Sequence, residues 1–173
     1  MSRAGVHAVG LAVLAAAAGA SPAASQDVLY SDAATQTCLG AARDAVVQEA
    51  CIGASANACM QANAAGSTTV GMGACIGNEL AYWDGLLNAY YKVAVDQARK
   101  MDADTRRYIP EAAVAEQALR DMQRAWIPYR DATCAFERAQ WGGGSGGGPA
   151  AASCLMEMTG KQALALGRFG YGQ

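Results

Sequence analysis

Between Cys75 and Tyr91 the apolar side chains recur at helical spacing, with Ile76, Leu80, Trp83, Leu87 and Tyr90 on one stripe. Asp84, Asn88, Lys92 and Asp96 follow four residues apart beside it. The pattern predicts a helix docked in a core, with a polar seam along the edge of its buried face. A second stretch, Leu119 to Cys134, carries Leu119, Met122, Trp126 and Tyr129 on one face and Gln123 and Arg130 on a neighbouring one. The simplest packing sets the two helices against each other, with Trp83 and Trp126 at the centre and Arg130 within reach of a carboxylate such as Asp84.

The same reading extends along the chain. Ala33 to Glu49 reads as a helix capped by Ser31 or Asp32, and Gln61 to Gly71 as a polar, glycine-punctuated loop. Thr68 or Thr69 starts the helix that holds Trp83, and Arg99 and Lys100 suit its C-terminal end. Gly85 inside it costs about 1 kcal/mol relative to alanine, which a close helix neighbour would explain. Met101 to Ile109 is the connection, and Pro110 sits well at the first position of the next helix, which Pro128 should kink near Arg124. A glycine run follows Trp141, then a last helix from Ala150 to Leu166 and a frayed tail from Gly167. Many alanines and only 2 phenylalanines favour close-packed helices. The expectation is an all-α fold, a small disulfide-stapled bundle of about four helices with a glycine-rich loop.

The N-terminus changes the inventory. Arg3 followed by the apolar run from Val6 to Ala18 and small residues at Ala23 and Ser25 predicts a signal peptide over residues 1–25, with cleavage after Ala20 as the alternative. The run is shorter than the roughly 20 apolar residues of a membrane span. A single domain over residues 26–173 then remains, periplasmic or secreted, without a membrane anchor. Removing Arg3 and His7 leaves a net charge of about −3 and no histidine. That excludes histidine-dependent hydrolases and histidine-ligated zinc sites. Mild acidity disfavours nucleic acid and suits a basic protein partner.

Six cysteines, Cys38, Cys51, Cys59, Cys75, Cys134 and Cys154, predict three disulfides in an exported chain. No CxxC pair suggests a metal site. If the helix from Ala33 continues to Cys51, Cys38 and Cys51 lie about 19 Å apart and cannot pair. The first four cysteines then join as Cys51–Cys59 with Cys38–Cys75, or Cys38–Cys59 with Cys51–Cys75. A bend near Gln48 would reopen the question. Cys134–Cys154, flanking one loop, is the most direct pair.

A cysteine and Glu79, then Trp83-Asp84, Leu87-Asn88 and Tyr91, precede Gln123-Arg124-Ala125-Trp126, Tyr129-Arg130-Asp131 and Cys134. This order resembles the LprI-like family of lysozyme inhibitors, over roughly Cys51 to Leu166. The resemblance implies a small exported helical domain that binds a lysozyme or other cell-wall hydrolase, without catalysis or cofactor. The alternative is an envelope-stress binding protein with no hydrolase partner. Glu79, Asp84 and Glu137 would be the carboxylates of a glycosidase, but nothing in the sequence brings them round a cleft. Glu79, Trp83, Asp84, Asn88, Gln123, Trp126, Arg130 and Asp131 read instead as a polar network fixing helix register. Trp141, beside the glycine run, is the candidate partner contact. A blocking loop is expected at Trp141–Pro149 or at Gln61–Gly71.

Overall fold

The computed structural model describes residues 27–172; the expected targeting segment lies outside them. Six α-helices follow in order: α1 (Ala33–Ala41), α2 (Ala45–Ala50), α3 (Ala54–Ala62), α4 (Thr69–Thr105), α5 (Ala115–Ala139) and α6 (Gly147–Tyr171). A 3-10 turn, Pro110–Ala112, precedes α5. The all-helical, disulfide-stapled bundle agrees with the pattern, although the N-terminal part is cut into three short helices.

The spine is α4, whose 37 residues span about 55 Å. Thr68 starts it by accepting the Gly71 N–H at 2.9 Å. Against it lies α6, in the most extensive interface of the molecule, while α5 packs on both and α3 covers the first part of α4. Ile76, Trp83, Leu87 and Ala94 of α4 meet Met156, Ala163, Leu164 and Leu166 of α6 in the core. Leu80 and Tyr90 of the expected stripe are half-buried at its edge.

The approach of α6 to α4 depends on glycine. A Cβ at Gly167 would lie 2.9 Å from the Tyr90 ring, closer than any relaxed contact. The expected frayed tail is therefore a correction: helix continues to Tyr171, because Gly167 lets it lie against α4. Gly85 has open space around it instead, so among the described residues the expected close neighbour is missing and its helix-propensity cost stands. The sequence also ends α4 too early and begins α5 too early. Pro110 opens only the 3-10 turn, and α5 runs through Pro128.

The disulfides correct the sequence reading most directly. Cys38 pairs with Cys51, Cys59 with Cys75, and Cys134 with Cys154. The rod expected from Ala33 to Glu49 breaks after Ala41, and Asp44 starts a new helix by accepting the Val47 N–H at 2.9 Å. The reversal brings the Cα atoms of Cys38 and Cys51 to 5.6 Å, which removes the premise that excluded them.

Candidate functional site

Two carboxylates on α4 hold the neighbouring helices by their N-termini. Glu79 is fully buried, at 0% exposure. Its Oε1 accepts hydrogen bonds from Thr35 Oγ1 (2.8 Å), the Gly53 N–H (2.8 Å) and Trp83 Nε1 (3.0 Å). Its Oε2 accepts the Ala56 N–H at 2.6 Å. Gly53, the residue before α3, has no side chain to cap the helix and adopts φ 95°, a conformation glycine tolerates without strain. Glu79 supplies the missing acceptor, from another helix. Thr35 and Ser55 complete the joint by exchanging bonds, each hydroxyl accepting the other's backbone N–H at 3.0 and 3.1 Å.

Asp102 repeats the device at the other end of α4. Its oxygens accept the Ala115 and Glu116 N–H groups at 2.7 and 3.1 Å, where Val114 offers no cap of its own. The Glu116 N–H, with that of Ala115, holds the Asp102 carboxyl below its ordinary range against the opposing effect of burial. Asp102, expected in a connection, lies inside α4, and neither Thr35 nor Ser55 stands out from the sequence pattern. The available signals were Gly53 and Val114, two helix starts without capping side chains.

Between α4 and α5 lies a groove of about 330 Å³. Asp84, Leu87, Asn88 and Tyr91 form one wall, and Arg120, Gln123, Arg124, Trp126, Ile127 and Arg130 the other. Most of the motif residues thus meet, but not in the expected pairing. Asp84 accepts from Asn88 Nδ2 at 3.1 Å. Arg130 makes no ion pair with Asp84, although both line the groove. It grips Asp131 Oδ1 at 2.8 and 2.9 Å, donates to Thr159 at 3.3 Å, and sits 5.0 Å from the Trp126 ring centroid. Trp126 is half-buried at the groove, so only Trp83 occupies the centre of the core. Gln123 is 8% exposed, and its Oε1 accepts from Gln162 at 2.9 Å. Glu79 is sealed away from both Asp84 and the exposed Glu137, so the carboxylate set considered for glycosidase chemistry does not assemble.

The outer face of α5 carries Met122, Tyr129 and Phe136 seven residues apart, the two aromatics each 65% exposed. Met122 and Tyr129 were expected in the core. The helix turns inward Gln123 and Cys134, with Leu119, Trp126 and Arg130 partly buried; Met122 touches Gln162 of α6 at one edge, and among the described residues Tyr129 and Phe136 stay largely uncovered. Trp141 follows at 53% exposure, its ring lying against Gly146. Gly147 to Pro149 belong to α6, so the glycine loop is shorter than the sequence suggests. The loop from Asn63 to Thr68 is tied down by its own bonds: Asn63 Oδ1 accepts the Gly66 N–H, and Ser67 and Thr68 donate to the Ala64 and Ala65 carbonyls. Among the described residues no helix is long and apolar enough to cross a membrane.

An uncharacterized protein of Rhizobium meliloti (strain 1021) is 32% identical over 92 residues, covering 53% of this chain and 66% of the relative. The chain thus spans just under two thirds of that relative's length. No solved structure matches the chain. The family model described as lysozyme inhibitor LprI matches residues 59–166, from the second half of α3 through most of α6 and across both walls of the groove. This chain belongs to the LprI lysozyme inhibitor family.

Proposed function

We propose that the protein is an exported, non-catalytic binding protein that inhibits a lysozyme-type peptidoglycan hydrolase by covering its substrate cleft. The observation that carries this reading is the exposed row of Met122, Tyr129 and Phe136, continued by Trp141, on a family member whose disulfides fix the shape beneath it. Aromatic side chains on a rigid helix are effective protein contacts, because they bury much area and lose little conformational freedom. Three disulfides suit an oxidising compartment, where such hydrolases work. The mild net negative charge of the mature chain favours encounter with a basic enzyme. Of the two loops, the one after Trp141 supports the reading better, since Trp141 is exposed and follows the exposed aromatics of α5.

The test is a turbidity assay of peptidoglycan lysis by lysozymes of several classes, with and without the purified, disulfide-intact protein. Inhibition should weaken by about tenfold or more in Tyr129→Ala/Phe136→Ala and in Trp141→Ala, with melting temperatures close to wild type. Lysis that proceeds unchanged at a large excess of wild-type protein, across the enzyme panel, sinks the reading. The alternative of an envelope binding protein without a hydrolase partner would then stand.

A further inference from the structure

The α4–α5 groove is not absorbed by a protein-contact function, because its polar groups face a recess rather than a rim. We propose that it is a binding site for a neutral pyranose saccharide. Its volume of about 330 Å³ falls at the lower end of small-ligand pockets. Three features of the lining identify the ligand class.

First, a donor on a largely buried residue opens to the groove without a protein partner among the described residues. Gln123 is more than nine-tenths buried, its Oε1 is occupied by Gln162, and its Nε2 donates to no protein group among the described residues. Across the groove Asn88 uses Nδ2 on Asp84 Oδ2, which leaves Asn88 Oδ1 and Asp84 Oδ1 without donors among the described residues. A donor on one wall and acceptors on the other suit a ligand that both gives and takes hydrogen bonds at several points, as vicinal hydroxyls do. An apolar ligand would bury these groups unpaired, at a cost.

Second, Tyr91 and Trp126 line the same recess. The negative face of an aromatic ring attracts the polarised C–H groups that a pyranose presents on its flat side. Carboxamides and aromatics together match such a ring, whose edge is polar and whose faces are not.

Third, the charges argue against an anion. The groove has three arginines, but each is already held by a carboxylate: Arg120 by Glu116 at 2.7 Å, Arg124 by Asp121 at 3.5 Å, and Arg130 by Asp131 at 2.8 Å. Asp84 adds a further negative charge. A phosphate would meet arginines already neutralised by these carboxylates and the repulsion of Asp84, whereas a neutral polyol can use the guanidinium N–H groups that remain without that repulsion.

This inference does not rest on hydrolase inhibition, and its test contains no enzyme. The disulfide-intact protein, labelled with 15N, is titrated with N-acetylglucosamine trimer, with cellotriose and with inorganic phosphate, while side-chain amide and indole signals are followed. Saturable shifts of the Gln123 and Asn88 amides and of the Trp126 indole, on addition of at least one saccharide, are the expected result. Asn88→Ala removes an exposed side chain that the core does not need. It should weaken binding about five- to tenfold with an unchanged melting temperature. Trp126→Leu should also weaken it, checked for folding by the signals of the buried Trp83. Three results overturn the proposal: no saturable shift with either saccharide, phosphate shifting these signals where the saccharides do not, or saccharide binding untouched by both variants.

Discussion

Replacing Glu79 by glutamine probes the joint between the N-terminal helices and α4 at one atom. The substitution keeps size and shape and leaves an oxygen for Thr35, Gly53 and Trp83, the three donors on Oε1. The former Oε2 becomes an NH2 group facing the Ala56 N–H, which now sits 2.6 Å from its acceptor. The bond to Ala56 is lost, the three on the remaining oxygen lose their charge assistance, and two donors confront each other in a site without solvent. A charge-assisted bond contributes about 1.5–3 kcal/mol, and an unsatisfied buried donor costs about 1–3 kcal/mol. These describe one loss from two sides and overlap, so about 2–4 kcal/mol is expected. Flipping the amide does not help, because the NH2 would then meet three donors. For a chain of this size the loss lowers the melting temperature by roughly 5–15 °C. Urea unfolding followed by circular dichroism, with the disulfides intact, measures it. Hydrogen exchange at Gly53 and Ala56 should accelerate beyond the global change. A melting temperature within about 1 °C of wild type, with those amides still protected, would refute the cap assignment.

Three further outcomes follow from the same structure. Asp102 has a lowered folded-state pKa, so its contribution is present above the ordinary aspartate value of about 4 and is lost as pH falls through the lowered one. Asp102→Asn should therefore be less stable than wild type at pH 7 and lose less on acidification, by thermal melts at pH 7 and pH 3. Gly167→Ala should destabilise by about 1–2 kcal/mol through contact with Tyr90, yet stabilise by up to about 1 kcal/mol in a Tyr90→Ala background, where helix propensity alone acts; equal effects in both would deny the close approach. Replacing Cys134 and Cys154 by serine should cost about 3 kcal/mol, from the entropy of a loop with 20 residues of separation, measured by denaturant titration.

The stripe Ile76, Trp83, Leu87 was legible because α4 is packed by α3, α5 and α6 along its length. On α5 the same logic failed for Met122 and Tyr129. Periodicity shows that a helix has an apolar face, but not whether a neighbour covers it, and α5 turns a different side to α4 and α6, which leaves Tyr129 and Phe136 exposed. The α1–α2 break had a local sign in Asp44, masked by an alanine-rich run with good helix propensity on both sides. The Glu79 joint showed only Trp83 at fixed spacing, four residues on; its other donors, at positions 35, 53 and 56, are brought together by the disulfides and by α4. The groove was legible in membership but not in pairing. Asp84 and Arg130 line one recess, yet Asp131 and Thr159 satisfy the guanidinium first.

The cysteines pair in the order in which they occur, first with second, third with fourth and fifth with sixth. A chain threaded from its N-terminus into an oxidising space exposes both partners of each bridge before the next pair arrives. An oxidase that joins whichever two thiols have most recently emerged therefore makes the native set in sequence, and no wrong bridge has to be undone. On the proposed exported location, biogenesis should need a thiol oxidase but little disulfide isomerase, and the protein's yield should be indifferent to loss of the isomerase.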